Sequence, residues 1–467
     1  MENSQLIFIL NSFDKKEIRE IRKWLQSPSH NQREDVLDLY EYLTSGNRLL
    51  NEQQLQKEKV HKKIFPKTPF DDAKLRQTIF FLMKAIEDYL VFKEMKSDEV
   101  GERLILARVY RKLNLDKPFR RSIRLATSSH EKFPFRNNHY LDNAYELQLE
   151  EFHFRERQQR TAEMNLQELS DSFEINFIAE KLRLSSVMKS HQKVFKVNYE
   201  MGLLDKILSY VSENQLLHIP AIAIYYYIYQ CSLHPEEESY FTQLKKSIQS
   251  SIELFPESEK RDIFLHAINY CIGKMNAGEE KYIREAFELY KKGIETNLLI
   301  ENGILSQYTF LNVTRIGLRL GEFDWTSHFI EHYQKFLEKK HKDNIVDYSL
   351  AKLHFERGSY DEAMRLLIYA DFNDILLQLN AKTMLIKIYF EKEEEDALES
   401  LLDSMRTYIQ RKQVMGYHKA NYLNIIKFTK KILNLHPYQK EQIQKLRQEI
   451  ENISPLTEKE WLLAQLP

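Results

Sequence analysis

The side chains best spaced for chemistry are those of His328-Phe-Ile-Glu-His332. Two histidines four positions apart stand on one face of a helix and can share a metal ion. Their order matches the His-x-x-Glu-His pattern of inverted zinc peptidases. The same segment carries Ile330 and Tyr333 at the spacing of a packing face, and the downstream acidic run Glu391–Asp396 that would supply a third ligand belongs to a later helix. With 15 histidines in the chain, chance pairs at this spacing are expected. The segment therefore reads as a solvated His/Glu face, and neither metal nor cofactor is expected. There is no Gly-rich phosphate loop, no Cys-x-x-Cys pair and no Gly-x-Ser-x-Gly elbow. Cys231 and Cys271 read as two reduced thiols packed inside helices. The chain is expected to be no enzyme.

Charge offers a second kind of chemistry. Between Arg103 and Arg136 stand ten basic residues against only Asp116 and Glu131. A basic patch is predicted from Arg108, Arg111, Lys112, Arg120, Arg121 and Arg124, with Arg120, Arg121 and Arg124 falling within about one helical turn. Conversely Glu391–Asp403 holds seven acids against Lys392. Such runs either form solvated faces that balance each other, or make a basic stripe that takes an acidic protein segment or, as the alternative, RNA or DNA phosphates. The whole chain carries a net charge of −1, so no global field favours nucleic acid or an anionic membrane.

The elements that position these residues are helices. Of 467 residues, 43% are hydrophobic and 12% aromatic, enough for a substantial core, while glycine and proline number only 11 each. Long stretches rich in Leu, Ile, Lys, Glu and Gln with few breakers make the chain all-α. The most apolar run, Ile219 to Cys231, gives about 20 Å of helix, too short to span a bilayer. The first residues lack the basic start of a signal peptide. No membrane insertion is expected, and the location predicted is cytoplasmic.

Tyr348–Ala370 reads as two short amphipathic helices meeting at Gly358-Ser359-Tyr360. Leu350, Ala351 and His354 share one face, and Ala363, Leu367 and Ala370 another. Glycine at the turn takes positive φ cheaply, and Ala363 is small where the helices cross. A shift of about 34 residues lands on Met384, Leu385 and Ile388, then Ala397, Leu401 and Ser404. Backwards, Leu320-Gly321-Glu322-Phe323-Asp324 repeats the turn, with Val313 before it and Ile330 and Tyr333 after. This pattern resembles the tetratricopeptide (TPR) repeat. The resemblance implies a right-handed superhelix of helix pairs whose first helices line a concave peptide groove, and it places Asn312, Arg315, Lys352, Lys382 and Lys387 as groove residues. In front, Asp14 and Glu17 form a capping box, Pro28 ends that helix, a second helix covers about 33–43, Ile64-Phe65-Pro66 closes a third, and Asp71 and Asp72 open a long one. The stretches Arg22–Asn31 and Lys63–Asp72 resemble the N-terminal part of a group of uncharacterised bacterial TPR-type proteins, which implies a helical cap without known activity. Acidic Glu17, Glu20, Glu34, Asp35 and Asp38 oppose DNA reading there.

The predicted organisation is a cap over 1–100, degenerate helical pairs over 101–300, and TPR-like repeats with terminal capping helices over 301–467. Helices are expected near 104–112, 118–132, 138–159, 162–191, 196–213, 237–254, 416–434 and 437–452. Pro220–Tyr229 is predicted to lie deep in the core, and Thr457-Glu-Lys-Glu460 to box a last short helix whose Trp461 packs back on the final pair. The function that follows is a non-enzymatic scaffold or adaptor that holds a protein or peptide segment, with an acidic partner favoured by the basic stripe.

Overall fold

The computed structural model describes residues 4–46, 48–158, 163–195, 197–369, 372, 374–412, 416–436, 438 and 440–466. Gln159 to Ala162, Ala370 and Pro437, on which some sequence expectations fall, lie outside these. The chain is all-α. Among the described residues are 23 α-helices and one two-stranded hairpin, β1 (Ile300–Glu301) with β2 (Ile304–Leu305). No helix among them is long and apolar enough to cross a membrane. Two compact units divide the chain: one holds Met1–Leu184, Met201–Gln215 and Ile219–Ile222, the other Ser185–Glu200, Leu216–His218 and Ala223–Pro467.

The first unit begins with α1 (Gln5–Ser12), α2 (Lys15–Gln26), α3 (Glu34–Thr44), α4 (Lys57–Ile64) and α5 (Asp72–Ser97). Asp14 caps α2 as the sequence implies: its Oδ1 accepts from the Glu17 amide at 2.7 Å, and Glu17 Oε2 accepts from the Asp14 amide at 3.3 Å. Helix α1 has no sequence counterpart in the expectations above, because its apolar run is too short to show a period. It is held by Leu6, Ile7 and Leu10, which join one core with Ile21, Leu25, Leu39, Tyr40, Leu75, Leu82 and Ile86. Burying each such Leu or Ile contributes about 1.5–3 kcal/mol. Tyr40 is fully buried, and its hydroxyl donates to the Ile18 carbonyl at 2.7 Å.

Helices α6 (Glu99–Lys112), α7 (Asp116–Lys132) and α8 (Asn138–Arg155) pack on one another. Phe119 and Phe154 stack there with centroids 4.1 Å apart. The unit also takes in the first part of α9 (Leu166–Phe195), and α10 (Leu204–Glu213). Helix α10 starts at Leu204 and not near 196.

The second unit takes in α11 (Pro220–Leu233) from Ala223 onward, then α12 (Glu238–Ser251), α13 (Glu257–Asn276), α14 (Lys281–Glu295), the hairpin, α15 (Gln307–Arg319), α16 (Phe323–Tyr333), α17 (Lys339–Glu356), α18 (Tyr360–Tyr369), α19 (Ile375–Glu391), α20 (Glu395–Arg411), α21 (Gly416–Leu433), α22 (Lys440–Asn452) and α23 (Lys459–Ala464). Helix α11 is buried nearly all round, as its apolar sequence demands. Each of α15, α17 and α19 packs on the helix that follows it, and α17 touches both α15 and α19.

The turns within these pairs repeat one device. Gly278, Gly321, Gly358 and Glu393 all have positive φ. After each, the next amide donates five residues back: Glu279 to Lys274 at 3.1 Å, Glu322 to Gly317 at 2.9 Å, Ser359 to His354 at 2.8 Å and Glu394 to Tyr389 at 2.9 Å. This closes the helix end with its orphan carbonyls satisfied. In the first unit Asn114 does the same between α6 and α7, with Leu115 donating to Tyr110 at 2.9 Å.

Two expected registers move. On α17 the buried residues are Ile345, Val346, Ser349, Ala351 and Leu353, while Leu350 and His354 are half-buried. On α20 they are Leu398, Leu402, Met405 and Ile409, not Ala397, Leu401 and Ser404. The turn residues explain the second shift. Glu393 follows Gly358 by 35 positions, so Leu398 and not Ala397 takes the place of Ala363. At the chain end, Thr457 boxes nothing: the residue before α23 is Glu458, left-handed and without a capping side chain. Its carboxylate goes to Lys387 instead. Trp461 packs back on the core that α21 and α22 share, as expected, and also on α19, against Phe390, with its ring nitrogen donating to Glu391 at 3.1 Å.

Candidate functional site

Two adjoining clefts, of about 650 and 490 Å³, run along the starts of α15, α17 and α19, and share Gln307, Tyr308 and His341. The first opens against the hairpin and the segment after α16, and the second ends on α19 at Asp374, Leu377 and Asn380. Each of α15, α17 and α19 contributes lining near its start. Tyr308, His341 and Asp374 line the groove at intervals of 33 residues, and so do Leu311, Asn344 and Leu377. Asp374 is held in place as the cap of α19, accepting from the Leu377 amide at 2.8 Å. Tyr308 stands 68% exposed in the middle.

The chemistry of this surface is mixed. Leu311, Ile345, Leu376 and Leu377 make an apolar floor, and Gln307, Asn344 and Asn380 bring carboxamides that both donate and accept. Acids and bases alternate, since Asp374, Glu338 and Glu301 stand among Lys340, Arg261 and His341, and Arg261 pairs with Glu301 at 2.8 Å. A surface of this kind suits an uncharged hydrogen-bonding chain better than a polyanion.

The groove residues named from sequence sit elsewhere on the same helices, and none of the five lines either cleft. Asn312 donates to the Tyr290 hydroxyl at 3.3 Å. Arg315 is exposed. Lys352 lies 3.6 Å from Glu356 on its own helix. Lys382 is half-buried near the Tyr408 ring, and burial pulls its ammonium below the ordinary lysine range. Lys387 is 16% exposed, 2.8 Å from Glu458 and over the rings of Phe355 and Trp461. The lining residues stand near the helix starts, whereas the sequence expectation falls on helix middles. Their signal was present as the 33-residue interval near the helix starts.

The basic segment divides in two. Arg108 and Arg111 both turn to α8, where the buried carboxylate of Glu150 accepts from Arg108 at 2.6 Å and from Arg111 at 2.9 Å. Glu146 takes a further bond from Arg108 at 3.0 Å. This arrangement holds the Arg108 guanidinium even further above its usual range, through its bond to Glu150. Lys112, Arg120, Arg121 and Arg124 are exposed and form no ion pair with a described residue. Arg120 lies over the Phe154 ring, 5.2 Å from its centroid.

His328 and His332 stack with ring centroids 5.5 Å apart. Together with Glu331 they do not gather three ligand atoms; among the described residues the one group that does is His234, Glu236 and Glu237, at the exposed end of α11. Cys231 and Cys271 are buried and not joined in a disulfide, and burial pushes the Cys271 thiol up to about 12, leaving no thiolate there at neutral pH. Compared with known protein families, with curated proteins and with solved structures, the chain matches none.

Proposed function

We propose that the second unit is a TPR-like, non-enzymatic protein-binding module that holds an extended peptide segment along α15, α17 and α19. The carrying observation is the repeated lining, Tyr308–His341–Asp374 beside Leu311–Asn344–Leu377. Side chains supplied in turn by neighbouring first helices offer a linear ligand a contact at each step, as stacked repeats do. The Gln307 carboxamide can satisfy a peptide's N–H and C=O groups together, the Asn380 amide nitrogen can donate while its oxygen accepts from the Tyr422 hydroxyl at 2.7 Å, and the apolar floor receives alternate side chains. Stacking of the helix pairs into a right-handed solenoid within this unit belongs to the same reading.

A photo-cross-linking amino acid at position 308 tests it in native lysate. The expected result is a discrete protein adduct that survives nuclease treatment and fades when Asn344 and Asn380 are changed together to alanine. Adducts that vanish with nuclease, or that persist unchanged in the double variant, would remove peptide binding from this groove.

A further inference from the structure

A second surface, in the first unit and independent of that groove, is the cleft of about 540 Å³ between α6 and α7. Its walls are Arg103, Leu106 and Tyr110 from α6, facing Lys117, Arg121 and Leu125 from α7. Arg103, Lys117 and Arg121 form no ion pair with a described residue. Two neighbours that would have crowded the surface with charge, Arg108 and Arg111, are turned away to Glu150 on α8. Elsewhere on α6 and at its C-cap, Ile105, Val109 and Leu113 are 45%, 43% and 61% exposed. Leu113, the residue that caps the end of α6, follows Leu106 by about two helical turns. Leu125, on the opposite wall, is exposed as well.

We infer that this cleft docks an acidic segment of a partner protein that carries large apolar side chains. Neither half of the surface is explained by the other class of ligand. A polyanion would use the three cations but gains nothing from Leu106, Leu113, Val109 and Leu125, and finds a single aromatic, half-buried Tyr110, to stack on. A neutral apolar segment would leave Arg103, Lys117 and Arg121 without counter-charge. An amphipathic acidic segment satisfies both at once: apolar anchors enter between α6 and α7, and flanking carboxylates meet the guanidinium groups.

Fluorescence polarisation with labelled synthetic peptides tests this on the full chain. The first probe is a peptide of roughly 16 residues built from Glu, Leu and Phe in amphipathic order. A second replaces every Glu with Lys, a third replaces Leu and Phe with Ser, and a fourth probe is a single-stranded RNA of similar length. The first is expected to bind at least about tenfold more tightly than the other three, and to weaken when salt rises from roughly 0.05 M to roughly 0.5 M. Arg103→Glu with Arg121→Glu is expected to weaken it by about tenfold or more, as is Leu125→Asp alone, with circular dichroism unchanged. Lys132→Glu, in the same basic segment but outside the cleft, should leave binding as it was, as should Asn344→Ala with Asn380→Ala in the other unit. The idea is overturned if the first probe does not bind, if the serine peptide or the RNA binds as well, or if the cleft variants keep full affinity.

Discussion

At the scale of single residues, the most consequential side chains are those whose partners lie far away in sequence. Glu150 is buried and shared by two guanidinium groups of α6. Removing this carboxylate leaves the largely buried Arg111 without its partner, while the more exposed Arg108 keeps Glu146, so Glu150→Ala should cost roughly 2–4 kcal/mol, read from urea unfolding midpoints. An unchanged midpoint would mean the pair adds nothing. His130 is buried on α7, its Nε2 2.8 Å from the Tyr140 carbonyl and its ring stacked on Tyr140. Burial above all, with Arg136 nearby, lowers its proton affinity; the Tyr140 carbonyl and Glu131 oppose this only in part. The sign follows from linkage. The unfolded chain takes up a proton at the ordinary imidazole value of about 6.5 while the folded one still resists, so stability is complete above that pH and is lost progressively below it. The fall in unfolding free energy between about pH 7 and pH 5 should be smaller in His130→Gln; an equal fall would assign the effect to other groups.

At the scale of elements, the left-handed turn after each first helix decides where the next helix points. Gly321 and Gly358 meet this demand without strain, but Glu393 meets it with a side chain. Glu393→Gly should therefore raise stability by about 1 kcal/mol, seen as a higher melting temperature; a lower one would show that the side chain of Glu393 matters more than its backbone. The crossing of α15 with α16 is tighter. A Cβ on Gly317 would stand 2.3 Å from Thr326 Oγ1, and Thr326 is fully buried and β-branched. Gly317→Ala is expected to cost roughly 1–3 kcal/mol, and adding Thr326→Ala should recover part of it. A double variant no better than the single would place the crowding elsewhere. Several element ends were legible in advance for local reasons, as Asp14 with Glu17, Pro28 and Gly358 show. The start of α10, the α20 register and the cap of α23 were not. In those places the governing contact, such as Glu458 with Lys387, lies outside any sequence window.

At the scale of the molecule, near-neutrality is the dominant fact. With a net charge of −1 and an isoelectric point near 7.0, copies of the chain repel one another least at neutral pH. Helix α9 adds exposed Leu166, Phe173, Phe177 and Leu184, which fall on one face at helical spacing. Light scattering from concentrated solutions should peak near pH 7 and fall at about pH 8.5, and Phe173→Glu should lower the neutral peak. A flat profile would mean that net charge does not govern association. Composition and apolar period by themselves determined that the chain is all-α, because scarce Gly and Pro with recurrent Leu and Ile leave helices as the way to bury the apolar surface. They also marked Gly321 and Gly358, since a positive φ favours glycine. Which charges are free, and which side chains share a groove, only the tertiary structure decided. Arg108 and Arg121 look alike in sequence, yet one is spent on Glu150 and the other opens to solvent. Tyr308, His341 and Asp374 come together because α15, α17 and α19 lie side by side, and that neighbourhood is a property of packing.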